Sequence, residues 1–150
     1  MATLDSVPLF ELTVVFPETD ESHAIGNGGR GERLVAPAAS GTFEGEHLRG
    51  VVLPPWPDYI LRRADGVTEH EIRAVLRTDD GALIYMQYDG LGHRLDLGPL
   101  GGTDGPLYFR TAARFETEAE QYAWLNRILA VAVSHAAGPR RLGWSVHAIL

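Results

Sequence analysis

The stretch Leu107–Asn126, LYFRTAARFETEAEQYAWLN, concentrates side chains able to bind or position a ligand. Alternation along Leu107–Glu116 sends Tyr108 and Arg110 to one face, opposite Phe109 and Phe115. If that face lines a cavity, Arg110 presents a planar donor fork to a carboxylate, enolate or phenolate, and Tyr108 presents a phenolic proton. Asp58, Glu71 and Glu44 are the available general bases, because a carboxylate in an apolar cavity has its pKa raised toward the working pH. Trp56, Tyr59, Tyr85 and Trp124 supply flat walls for a ring-containing ligand, and Arg49, Arg73 and Asn126 supply further polar contacts. The expected catalytic set is therefore Asp58, Glu71, Tyr108 and Arg110. Glu44, Arg49, Trp56, Tyr59, Arg73, Tyr85, Trp124 and Asn126 are expected to bind substrate.

Each assignment has a structural competitor. Arg110 could pair with Glu71 or Asp58 and hold a barrel wall, since a buried charge needs a partner whichever role it serves. The carboxylates could be solvated strand residues, the aromatics ordinary core, and Asn126 a backbone ligand.

Composition removes many other chemistries. The chain of 150 residues at 45% hydrophobic content has the size of one domain, expected to span residues 1–150. It contains no cysteine, which excludes a disulfide framework, a thiol nucleophile and a thiolate-bound metal. All 13 basic residues are arginine, so a Schiff-base lysine and the lysine of a phosphate-binding loop are absent. A net charge of −7 without a basic run argues against nucleic acid as a partner. The histidines at 23, 47, 70, 93, 135 and 147 form no metal-ligand spacing, and no metal is expected. Neither a G-x-S-x-G elbow nor a convincing dinucleotide fingerprint occurs, GNGGRG at Gly26–Gly31 lacking the following helix, so no cofactor is expected. No run of ~18 apolar residues and no leader-like start occurs, from which a soluble cytoplasmic protein without membrane contact is expected.

The elements that must position these residues read as strands. Leu9–Phe16, Thr68–Arg77 and Leu142–Ile149 alternate apolar and polar residues, and Asp79-Asp80-Gly81 joins Thr68–Arg77 to Ala82–Tyr88 as a hairpin. On the first hairpin strand His70, Ile72, Ala74 and Leu76 share a face. The polar, glycine-rich stretch after Pro17 suits a turn or mobile loop, and the loop containing His93 and Gly98–Gly105 suits a binding loop or lid. Thr117 with Glu120 forms a capping-box pattern, which predicts a short helical turn near 118–125. Beyond it, positions 122, 125, 129, 132 and 136 suit a long helix, whereas Ile128–Val133 suits a buried strand equally. About eight to ten short strands result, the pattern of an all-β fold. A single antiparallel barrel is favoured over a sandwich because Tyr108, Arg110 and Arg114 suggest a partly polar, incompletely packed interior.

Several motifs stand in one order: Gly41–Gly45 (GTFEG), Leu48–Gly50 (LRG), Asp79–Tyr85 (DDGALIY), Tyr108–Thr111 with Arg114–Thr117 (YFRT, RFET) and Tyr122–Asn126 (YAWLN). From about Leu9 to the C-terminus the chain resembles the DUF3237 (UPF0311) family of small β-barrel proteins. The resemblance implies a lipocalin-like antiparallel barrel with a central cavity and a strand after Asn126. It also marks Asp58, Glu71 and Arg73 as matches to polar positions of the family, where many relatives carry Asp in place of Glu71. The chain departs from the pattern at Val131–Ala137, which replaces a glycine-containing strand end, and at Ala113, which replaces a proline.

The function expected from these residues is a cofactor-independent isomerase, cyclase or lyase acting on a hydrophobic or aromatic, polyketide-like small molecule. Asp58 or Glu71 would move the proton while Arg110 and Tyr108 steady an oxyanion. The alternative is a lipocalin-like ligand-binding protein in which no bond changes. A homodimer is the candidate assembly.

Overall fold

The computed structural model describes residues 1–100 and 107–150. Eleven strands form one sheet in the order β2-β3-β6-β7-β5-β4-β1-β11-β10-β9-β8, and pairing of β7 with β8 closes eight of them into a barrel. In chain order they are β1 Ser6–Val15, β2 His23–Asn27, β3 Glu32–Ala36, β4 Ser40–Glu44, β5 Arg49–Leu53, β6 Asp58–Arg62, β7 Thr68–Thr78, β8 Leu83–His93, β9 Tyr108–Glu116, β10 Leu129–Ala136 and β11 Arg141–Ile149. Every pairing is antiparallel, and β11 lies against β1, joining the last strand to the first. The expected all-β barrel is therefore present.

Alternation explains which faces meet. Leu12 and Val14 of β1, Phe43 of β4, Ile72, Ala74 and Leu76 of β7, Ile84 and Met86 of β8, Phe115 of β9, and Trp144 and Val146 of β11 form one buried cluster inside the barrel. Close packing governs this interior. A Cβ on Gly50 would stand 2.0 Å from the Arg77 carbonyl oxygen, and one on Gly41 would stand 2.8 Å from the Trp56 ring, so glycine lets β5 approach β7 and lets Trp56 pack over β4.

Strand β7 has different neighbours along its length. Its Thr68–Ile72 half pairs with β6 and its Val75–Thr78 half with β5, while β8 borders its other edge throughout. The β6–β3–β2 extension thus leaves the barrel wall at one end. There the interior is not filled.

Several expectations are revised. The segment after Pro17 expected to be a loop contains β2 and the start of β3, with Gly26, Gly29 and Gly31 at positive φ supplying the bends. Asn126 is followed by strand β10, and the helical alternative for this region does not occur. The helical turn is a 3₁₀ segment, Glu120–Arg127, whose N-cap is Ala119; Thr117 instead donates to the Leu83 carbonyl and accepts from the Ala119 amide, because its hydroxyl is spent tying the segment to β8. Tyr122 and Leu125 are buried beneath it. Most of the Gly98–Gly105 loop, residues 101–106, lies outside the described residues, whereas His93 closes β8. No helix among the described residues is long and apolar enough to cross a membrane.

The largest revision concerns β9. Phe109, Thr111, Ala113 and Phe115 point inward, so Tyr108, Arg110, Ala112, Arg114 and Glu116 lie on the outer face. The even-numbered positions, expected to face the barrel cavity, face away from it, because hydrocarbon burial sets the direction of a strand and the odd set carries the phenylalanines.

Candidate functional site

At the end of the barrel where β6 departs, a cavity of about 170 Å³ is lined by Val14, Phe16, Ala36, Ala38, Trp56, Asp58, Ile60, His70, Ile72, Tyr88, Phe109, Leu142 and Trp144. Its walls are mostly hydrocarbon. Of the polar groups, Asp58 opens β6 after the PPWP corner, His70 follows from the inward alternation of β7, and Tyr88 follows from that of β8. Asp58 stands opposite Ile72 and Ile72 opposite Tyr88, so the acid and the phenol belong to one inward row.

His70 is held on every side. Its Nδ1 is 2.6 Å from Asp58 Oδ2 and its Nε2 is 2.8 Å from Thr68 Oγ1. The Thr68 hydroxyl also donates to the Gly92 carbonyl at 3.1 Å. With that proton committed, the proton in the other contact belongs to His70 Nε2. One further proton then occupies the Nδ1–Oδ2 contact, giving either imidazolium with carboxylate or imidazole with carboxylic acid. The Phe109 ring lies 4.2 Å from the imidazole centroid, and Trp144 meets Phe109 edge-on at 4.5 Å. Gly92 is required here, since a Cβ would stand 2.7 Å from Thr68 Oγ1 and 3.4 Å from His70 Nε2.

Two polar atoms at this site are buried without a hydrogen-bond partner, Asp58 Oδ1 and Trp56 Nε1. An orphaned acceptor and an orphaned donor on two residues that line the same cavity are costly unless something else binds them. Burial pushes the Tyr88 phenol far above its ordinary range, and the neighbouring Asp58 charge adds to the shift. Tyr88 is therefore a proton donor at any ordinary pH. Among the described residues no group of three or more His, Asp or Glu side chains is arranged to hold a metal ion.

Of the residues singled out from sequence, Asp58 and Trp56 line this cavity. Tyr59, Glu71, Tyr108 and Arg110 line a groove of about 780 Å³ on the outer surface, which shares His70 with the cavity. Glu71 pairs there with Arg73 at 2.9 Å, and Arg110 has neither Glu71 nor Asp58 as an ion-pair partner within 4.0 Å. Glu44 and Arg49 form an exposed pair 4.0 Å apart. Tyr85 lies on the outer face of β8, donating to Gln87 at 3.4 Å. Trp124 is partly exposed, with its indole N–H on the Gln121 carbonyl and its ring edge-on to His47. Asn126 bonds both the amide and the carbonyl of Thr117, so its amide holds backbone.

Sequence reasoning missed His70, Thr68 and Tyr88 as site residues. Their signal was a histidine sharing an inward alternation with Ile72, Ala74 and Leu76, opposite a strand interrupted by Gly90 and Gly92.

The model of the family described as "Protein of unknown function (DUF3237)" matches residues 5–146. A UPF0311 protein of Rhodopseudomonas palustris is 32% identical, over 99% of this chain and 98% of that protein. The solved structure of a beta-barrel like protein from Acinetobacter baumannii superimposes with a TM-score of 0.85 at 28% identity, covering 100% of this chain and 98% of that one. An enzyme from Penicillium herquei shares the fold with a TM-score of 0.66 at 17% identity, covering 100% of this chain and 97% of that one.

Proposed function

The chain belongs to the DUF3237 (UPF0311) family, and from that premise and the cavity geometry we propose that it is a cofactor-independent acid–base enzyme. Its substrate is a small hydrophobic or aromatic molecule carrying an acidic C–H beside a carbonyl. The observation that carries this reading is the Asp58 carboxylate, bonded through one oxygen to His70 and orphaned at the other. Asp58 Oδ1 takes the proton. Trp56 Nε1–H and the Tyr88 hydroxyl donate to the enolate oxygen that forms, and His70 holds Asp58 through its other oxygen while Oδ1 carries the proton and returns it at another position. Isomerisation, cyclisation or elimination follows according to the substrate. That an enzyme from Penicillium herquei has the same fold is consistent with this reading, though the likeness concerns fold alone.

Volume limits the reacting part. A cavity of about 150 Å³ accommodates benzene, so about 170 Å³ receives one ring or an equivalent portion of a larger molecule. The test is deuterium incorporation from D₂O into small aryl ketones, followed by proton NMR. The wild-type chain should accelerate exchange, and Asp58→Asn and His70→Asn should each lower it by roughly 10²–10⁴-fold, the usual worth of a positioned acid or base. Equal exchange by wild type and both variants would sink the mechanism.

A second reading, a ligand-binding protein without chemistry, draws on the fact that both ring nitrogens of His70 are already engaged. Tight binding with recovery of unaltered ligand and no exchange would favour it.

A further inference from the structure

We propose that the outer groove is a second ligand site that takes an aromatic carboxylate; it meets the cavity at His70, which lines both. The groove runs between the β2–β3 hairpin, which contributes Arg30 and Arg33, and the outer faces of β9 and β10, which contribute Arg110 and Val131. Its volume of about 780 Å³ falls in the range of small-molecule sites, which is roughly 300–1,000 Å³.

Charge bookkeeping favours an anion. Glu69, Glu71 and Asp89 also line the groove, but Glu71 is 2.9 Å from Arg73, and Glu69 is 3.8 Å from Arg63, which it shares with Asp65. Arg30, Arg33 and Arg110 have no carboxylate within 4.0 Å among the described residues. With these neighbours included, the five guanidinium groups of Arg30, Arg33, Arg63, Arg73 and Arg110 stand against the four carboxylates of Asp65, Glu69, Glu71 and Asp89, which leaves a surplus of one positive charge. In a chain of net charge −7, such a local surplus of positive charge is not a property of the surface at large.

Arg110 is also held in place. Its Nη1 donates to the Phe109 carbonyl at 3.0 Å, and its guanidinium lies 4.7 Å from the Tyr108 ring centroid. Tyr108 in turn stacks on His93 at 4.6 Å and 20°. A fork fixed by a backbone bond and a cation–π contact loses little freedom on pairing with a planar carboxylate. Tyr59 on one wall and Val131 and Val133 on the other give a ring its apolar contacts.

Titration calorimetry of the full chain with 2-naphthoate and with 2-naphthylmethanol, at low salt, tests this. Naphthoate should bind at least tenfold more tightly than the alcohol, and Arg110→Gln and Arg33→Gln should each weaken it about tenfold or more. Both substitutions are on the outer face, and circular dichroism checks that each variant folds. In NMR spectra of the wild type, naphthoate should shift the Val131 and Val133 methyl signals and leave the indole N–H signals of Trp56 and Trp144 in place. The proposal is overturned if naphthoate does not bind, if the alcohol binds as well, if neither arginine matters, or if the indole signals carry the shift.

Discussion

Asp58 and His70 show how much a single residue's setting decides. Glu71 is one position beyond His70, yet it ends on the opposite face of β7, in water beside Arg73, while His70 lies against Phe109. Tyr88 carries a prediction at this scale. Its phenol is pushed up by burial and by Asp58, so the folded pKa lies above the unfolded value of about 10. Whatever stability that shift contributes is fully present below pH ~10 and is lost as pH rises further, because the unfolded chain releases the proton first. Spectrophotometric titration at 295 nm should find one of the five tyrosines silent until the fold gives way. In Tyr88→Phe the silent residue should disappear. A similar sign argument applies to His135, whose pKa is raised by its bonds to Glu11 and the Ala136 carbonyl. The pair is half exposed, so its worth is small, about 0.2–1 kcal/mol. The stability difference between wild type and Glu11→Gln should be larger at pH 5 than at pH 8, as chemical denaturation would register.

At the scale of elements, glycines decide which strands can touch. The Gly50 contact with the Arg77 carbonyl is backbone against backbone, so no side chain can move aside to admit a methyl group. Gly50→Ala should destabilise the fold by about 1–3 kcal/mol, the usual range for overpacking, with slower folding or faster amide exchange along β5. Gly143 allows the His135 ring to lie across β11, where a Cβ would stand 2.2 Å from the imidazole. The 3₁₀ segment docks through two polar anchors. Asn126 clamps Thr117 at one, and at the other Asp80 accepts hydrogen bonds from Gln121 and Tyr122; the Thr78 hydroxyl, followed by these two, lowers its pKa.

For the whole molecule, the small apolar cavity and the large groove of mixed lining lie on opposite sides of a wall that carries His70, the residue they share, and they should fill independently. Phenol, which matches the cavity in size, should raise the melting temperature in a thermal scan. At a concentration about one hundred times its dissociation constant the gain is about 2.7 kcal/mol. Filling the cavity with Ala38→Phe, at a residue of its lining, should abolish that gain, whereas Arg110→Gln should preserve it. An equal gain in the filled variant would mean that phenol binds elsewhere.

Much of this architecture was legible in the sequence. The alternation of Phe10, Leu12 and Val14, of His70 to Leu76, and of Trp144 to Ala148 identified strands and their buried faces, because the two-residue period of a strand is a local property. The Asp79-Asp80-Gly81 turn was local in the same way. Residue type picked out Asp58 and Trp56, which line the cavity. What the local pattern could not convey was which residues of distant strands share one small volume. Asp58 and His70 meet only because β6 pairs with one half of β7, and Tyr88 joins them because β8 closes the barrel on its other edge. The same closure turned Tyr108 and Arg110 outward. The phenylalanines of β9 set its direction through hydrocarbon burial, a free energy that depends on the whole barrel and overrides the appeal of any polar face read in isolation.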